Sequence, residues 1–278
     1  MTVIVMVSMV TSTTGFMATQ IPMDRNHCIL HSVNGDVMDE SVGATEEVTE
    51  NAKENTRRDE LKRQMLQLAA SYDRGFGASP RARAKVDQVI TELESLNQEV
   101  NASRFISGPG EVPNDLTGST ELSPLAGNWR LLWTTASDVL SLGASPFLTV
   151  GAIYQLFDPP LVTNVIDLLP RVQNLLPPSL VANSQLRAEV QTRASPRKDK
   201  PMRIGLDFEK VTLKPVELLG QDVESILPPF GFDLPKLFEV PDDVGYFDVT
   251  FLDAELVIIR QNAPGGCFVL TQVEDSDP

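Results

Sequence analysis

The spacing of apolar and polar residues changes character twice along the chain. Over residues 1–55 no period is sustained. Residues 1–23 carry no charge and are rich in Thr, Ser, Met and Val, and Asp24 to Glu54 is polar and acidic. This stretch reads as a non-globular or targeting segment. Helical spacing starts near residue 56, where Leu61, Met65 and Leu68 recur on one face. A Gly-rich break (Asp73-Arg74-Gly75-Phe76-Gly77) follows, and Ser79-Pro80 opens a second helix with Pro in its first turn. Val86, Val89, Ile90, Leu93 and Leu96 form its apolar stripe, opposite Arg83, Lys85, Asp87, Glu92 and Glu94. A Gly/Pro/Asn/Ser loop over 101–123 links this helical lead-in to the rest.

From residue 125 the period falls to two. Strands are expected over 127–135, 151–157, 186–193, 202–213, 245–252, 255–260 and 266–273. In 202–208, Met202, Ile204, Leu206 and Phe208 share a face. The phase then moves to Val211 and Leu213, which predicts a bulge near Glu209-Lys210. Asn262-Ala263-Pro264-Gly265-Gly266 predicts the turn of a closing hairpin. Short alternating strands without long intervening helices predict a mainly β fold, a meander that closes into a barrel or sandwich behind a two-helix segment. Three connections are unusually apolar: Val139–Val150, residues 161–185 and Val223–Val240. Such segments pack on the body or meet a lipid or protein surface.

Strand 127–135 holds both tryptophans of the chain. Strict alternation puts Trp129, Leu131 and Trp133 on one face. That face lines either a filled core or a hydrophobic cavity.

Composition removes several chemistries. The net charge of −15 opposes non-specific nucleic-acid binding and electrostatic docking on anionic lipid. The only histidines, His27 and His31, precede the expected body, so it offers no imidazole for a Ser-His-Asp triad or a zinc site. Cys28 and Cys267 form no Cys-x-x-Cys pair, and no metal site is expected. Val3–Val10 is too short to span a bilayer. The hydroxyl-rich, acid-free start suits a transit peptide, although it lacks arginines.

From about Leu61 to Leu270 the chain resembles the plastid lipid-associated protein (fibrillin) family. Three blocks carry the resemblance. Ser71-Tyr72-Asp73-Arg74-Gly75-Phe76 with Ile90-Thr91-Glu92-Leu93-Glu94-Ser95-Leu96-Asn97 resembles the family's Arg-Gly element and following helix. Leu125-Ala126-Gly127-Asn128-Trp129-Arg130-Leu131-Leu132-Trp133-Thr134-Thr135 is similar to its Leu-x-Gly-x-Trp-x-Leu-x-Tyr-Thr-Thr, with Trp133 in place of Tyr. Tyr246 to Arg260 and Phe268-Val269-Leu270 resemble its closing strands. The resemblance implies a lipocalin-like antiparallel barrel over residues 125–278, behind a lead-in over 56–124, within a family domain of about 60–272. It also implies a plastid location at thylakoids or plastoglobules and roles in prenylquinone, carotenoid or acyl-lipid storage and stress protection. It implies no enzymatic activity, catalytic residues or cofactors.

On this reading Gly127, Trp129 and Arg260 close one end of the barrel, with the Arg260 guanidinium over the Trp129 indole. Leu131, Trp133, Tyr154, Phe208 and Phe251 are the candidates for a cavity wall. Phe230, Phe232 and Phe238 are the candidates for contact with a membrane or partner. The expected partner is a hydrophobic small molecule, or the surface of a membrane or lipid droplet. The alternative is a scaffold that binds a plastid lipid-biosynthesis enzyme. An acidic cluster, Asp248, Asp253 and Glu255, is expected to satisfy turn donors rather than to catalyse. A hollow barrel with a mouth would favour the carrier, and a filled barrel with an exposed apolar patch would favour surface docking.

Overall fold

The computed structural model describes residues 40–111, 120–175, 177, 183–197, 200–233, 245–262 and 265–274. The leader over residues 1–39 and the contact candidate Phe238 lie outside them. Helix α1 (Glu40–Ser71) begins well before the expected residue 56. Residues 51–57 on it are exposed. Good helix formers such as Glu, Ala and Lys are among residues 51–57, and none of these side chains is buried, so no apolar period marks them. A 3-10 turn (Asp73–Gly75) leads to α2 (Pro80–Ser95). There the Ser79 hydroxyl accepts from the Ala82 amide and Pro80 occupies the first turn. Among the described residues no helix is long and apolar enough to cross a membrane.

Two short strands, β1 (Gly110–Glu111) and β2 (Thr120–Glu121), pair with each other in the linker. The body follows as β3 (Gly127–Thr134), the short helix α3 (Ser137–Leu142), β4 (Leu148–Asp158) and β5 (Leu161–Pro170). It continues with β6 (Gln185–Arg197), β7 (Lys200–Leu218), β8 (Gln221–Asp222) and β9 (Phe230–Asp233). The chain closes on β10 (Tyr246–Leu252), β11 (Leu256–Gln261) and β12 (Gly266–Val273). Strands β10-β11-β12-β3-β4-β5-β6-β7 are antiparallel neighbours in that order. β10 then pairs back onto β7, setting Tyr246 against Gly205 and Asp248 against Arg203, and the eight strands close into a barrel.

The expected bulge in β7 is present. Lys210 pairs with Gln191 and Phe208 with Thr192, so Glu209 is the extra residue. Strand β5 was expected only as an apolar connection. Both its faces are covered: Ile166 and Leu168 sit in the barrel core, while Val165 and Asp167 are also buried on the other side. A strand buried twice loses the alternation by which a strand is read.

Two apolar clusters form. One fills the barrel around Trp129, Leu131, Ile153, Phe157, Ile204 and Phe247. The other lies between the helices and the outer face of β3, β10, β11 and β12, around Met65, Ile90, Leu93, Trp133, Phe251 and Ile258. Polar clips surround this second layer. Glu94 on α2 takes Arg260 in a bidentate pair at 2.6 and 2.8 Å and the Thr250 hydroxyl at 2.6 Å. Lys62 on α1 reaches Asp253 and Glu255 at the β10–β11 turn, and the Asn97 amide oxygen accepts from the Leu252 N–H.

Candidate functional site

Two bulges decide which aromatic residues face the barrel interior. In β3, Trp133 pairs with Val269 and Leu131 with Leu270, so Leu132 is an extra residue. In β10, Val249 pairs with Ile259 and Phe251 with Ile258, so Thr250 is extra. Each bulge reverses the facing of the residues beyond it. Trp129 and Leu131 therefore point inward, but Trp133 and Phe251 point out to the helices. This corrects the expectation that both indoles share a face. It also removes Trp133 and Phe251 from any cavity wall.

Tyr154 leaves the list as well. It is buried outside the barrel core, on the outer face, with the Arg130 guanidinium 5.9 Å from its ring centre. Leu131 is part of the interior cluster. Phe208 keeps the inward phase of Ile204 and is half-buried, opposite Thr192.

Arg260 does not stack on Trp129. It lies on the helix side of the wall, held by Glu94, and Trp129 lies on the inner side. A carboxylate that binds both arms of a guanidinium outcompetes an indole face. The Trp129 indole N–H donates to the Leu125 carbonyl at 2.8 Å. Gly127 has a φ of +128°, which suits glycine at the strand's entry. Behind Arg260, burial pushes the Cys267 thiol up to about 12, so it stays a protonated packing residue.

The Arg74-Gly75 element ties the helical lead-in to the barrel. Arg74 donates to the carbonyls of Val150, at 3.2 Å, and Gly151, and lies 5.3 Å from the Phe76 ring centre. Gly75 has a φ of +104° and lies against the Thr134 carbonyl.

The barrel interior is filled, and segments cover both of its ends. At one end Ala102, Ile106 and Leu125 from the linker are fully buried in the interior cluster, and the Ser103 N–H donates to the Pro201 carbonyl. At the other end Ala136, Val139 and Leu142 of the α3 segment join the same cluster. Burial raises the Asp138 carboxyl on α3 above its ordinary range. The folded state then holds a proton that the unfolded chain has already released, so stability falls as pH rises through that window. Asp138→Asn is expected to raise the melting temperature at neutral pH and to flatten its pH dependence above the usual carboxylate range, as read by thermal denaturation across pH.

Beside α3, strands β6 and β7 run on past the barrel, and β9 pairs with β7 there. Phe230 faces the same side as Leu213, and Phe232 the same side as Val211. Among the described residues Phe230 is 70% exposed and Phe232 36%. Phe147, Val172, Leu175, Leu219, Ile226 and Phe230 are all exposed around this end. Hydrogen bonds join the segments that carry them. The Arg171 N–H donates to the Phe147 carbonyl, the Ser184 N–H to the Gln173 side chain, and the Leu219 N–H to the Ser184 hydroxyl. The result is an apolar rim at one end of a filled barrel. Of the expected contact residues it includes Phe230 and Phe232. Ile226, Leu219 and Val172 belong to it too. The signal for Ile226 and Val172 was large apolar residues in proline-rich connections, which normally carry polar ones; Leu219, in the turn after β7, lay outside those connections.

Of the acidic cluster, Asp253 accepts from the amides of Glu255 and Leu256 at 2.9 Å each, as a turn residue does. Asp248 pairs with Arg203 at 2.6 and 2.7 Å, and that guanidinium lies 3.7 Å from the Tyr246 ring centre.

Comparison with known proteins converges on one family. The PAP_fibrillin family model matches residues 111–271, more than half of the chain. The chain is 28% identical over 242 residues to the probable plastid-lipid-associated protein 3, chloroplastic, of Oryza sativa subsp. japonica, covering 77% of the chain and 59% of that protein. It is 30% identical over 183 residues to the plastid lipid-associated protein 3, chloroplastic, of Brassica campestris, covering 64% and 43% respectively. It is 28% identical over 220 residues to the plastid-lipid-associated protein 6, chloroplastic, of Arabidopsis thaliana, covering 72% and 66%. The chain thus spans less than two thirds of the length of the first two relatives. No solved structure matches the chain. The barrel, its helical lead-in and these matches agree that the chain belongs to the PAP/fibrillin family of plastid lipid-associated proteins.

Proposed function

We propose that this plastid protein associates with lipid at thylakoids or plastoglobules by inserting its apolar rim into the lipid surface. The observation that carries this reading is the exposure of large apolar side chains, Phe230 and Ile226 among them, at one end of a barrel whose interior is already packed. A packed interior favours docking over carriage of a lipid inside the barrel. Support for prenylquinone or carotenoid storage and stress protection then follows from residence at the lipid surface, with no reaction of its own.

Burying a large apolar side chain is worth about 1.5–3 kcal/mol. Two such residues are therefore worth at least about a hundredfold in partitioning. The double substitution Ile226→Ser with Phe230→Ser is expected to lower co-flotation with galactolipid vesicles by about that factor. The melting temperature should stay unchanged, since both side chains are exposed in the folded protein. Wild-type protein that fails to float, or a double variant that floats equally well, would overturn the reading. Displaceable binding of a fluorescent fatty acid by that unaltered variant would favour the carrier instead.

A further inference from the structure

The charge around the rim specifies the kind of lipid surface it fits. Residues 215–233 form the rim's β7–β9 side and contain four carboxylates, Glu217, Asp222, Glu224 and Asp233, with no lysine or arginine. Asp222, Glu224 and Asp233 are exposed beside Ile226 and Phe230. The described rim residues 171–175 and 183–186 contain a single charged residue, Arg171.

Among the described residues, three cations near the rim are already engaged. Arg171 donates to the carbonyls of Gly143, Ser145 and Leu148 at 3.0–3.2 Å. Arg187 pairs with Asp167 at 2.8 Å, and Lys214 with Glu189 at 2.7 Å. Lys210 stands across the β7–β9 ladder from Asp233. When Phe230 and Ile226 enter a leaflet, the exposed carboxylates come to headgroup level, and among the described residues of 215–233 they are the only charged groups.

We infer that the occupant of the rim is a lipid leaflet without net charge, and that the carboxylates of β8 and the loop before β9 exclude the rim from anionic leaflets. This inference rests on the rim-insertion reading. A polybasic anchor gains on anionic lipid, but this arrangement has the opposite sign. A charge brought to an anionic lipid surface changes binding by about fivefold. Repulsion of this kind is screened by salt, whereas apolar insertion is not.

Flotation of the full chain with two vesicle types tests the inference. One is pure phosphatidylcholine, and in the other part of it is replaced by phosphatidylglycerol. Wild-type protein should bind the first, bind the second several-fold less, and regain binding to the second as salt is raised. Asp222→Asn with Glu224→Gln should raise binding to the phosphatidylglycerol vesicles by about 25-fold and leave phosphatidylcholine binding unchanged.

Wild-type binding that increases with phosphatidylglycerol, or a charge variant indistinguishable from wild type on it, overturns the inference. Rim insertion then still stands if the Ile226/Phe230 double variant loses phosphatidylcholine binding. Absence of binding to both vesicle types removes rim insertion and this inference together.

Discussion

Trp133→Ala is expected to lower the stability of the protein by about 3–5 kcal/mol and to release the helical layer from the barrel. The indole is fully buried between β3 and the helices, in one cluster with Met65, Ile90, Leu93, Phe251 and Val269. Truncation to alanine removes the largest side chain of that layer and leaves a cavity between the helices and β3, with the polar clips at its edges as the remaining ties. The loss should appear in urea denaturation. Limited proteolysis should cut α1 and α2 before the barrel. Trp129→Ala should be comparably costly, since that indole fills the interior and also loses its bond to the Leu125 carbonyl. The two variants differ in what they expose: Trp133→Ala should free the helices, and Trp129→Ala should disturb the barrel itself. If Trp133→Ala left the helices protected and instead altered binding of an apolar probe, the placement of Trp133 outside the barrel would be wrong.

Gly75→Ala is expected to be nearly as damaging, at about 3 kcal/mol or more. Two costs coincide at this position. The backbone has a φ of +104°, a region in which a side chain is strained, and a Cβ added there would lie 2.3 Å from the Thr134 carbonyl oxygen. That oxygen belongs to a barrel strand and cannot swing aside as a flexible side chain could. The α1–α2 connection must then lift from β3. Arg74 loses its reach to the Val150 carbonyl in the same movement. Arg74→Ala alone should cost less, about 1–3 kcal/mol, because it removes hydrogen bonds without displacing backbone. Chemical denaturation of the three proteins side by side gives the ranking. Equal stability of Gly75→Ala and wild type would remove the close approach as the reason for glycine.

The period-two pattern located seven of the eight barrel strands and the bulge in β7, and it is cleanest in β6 and β7, whose outer faces the helices do not cover. It missed β5, where Ile166 and Val165 are both buried on opposite sides of the wall. It also misplaced Trp133, Phe251 and Arg260. Alternation counts residues, and a bulge adds one without leaving a mark in the composition. In β7 the apolar phase itself jumps, from Phe208 to Val211, and the bulge shows. In β3 the added residue is Leu132, an apolar residue beside an apolar residue, so the jump is hidden. Strand β10 hides its bulge differently: Phe247, Asp248, Val249, Thr250 and Phe251 alternate without a break, so the added Thr250 leaves no jump. The rim was legible as apolar connections. Which of their residues would be exposed depended on where β6 and β7 outrun the barrel, and strand length is set by pairing partners far away in the chain.

The clips between the helices and the closing strands also set an order of assembly. Lys62 meets Glu255 across 193 residues of chain, and Glu94 meets Arg260 across 166. Trp133 needs Val269 beside it before the helix-facing side of β3 is complete. The first helices made on the ribosome thus find no surface to dock on until the last strands have emerged and paired. Contacts this distant in sequence slow folding and lengthen the time during which apolar surface is open to other chains. Met65, Ile90 and Leu93 lack the strand side of their cluster through that interval, and the pairing of the C-terminal hairpin completes it.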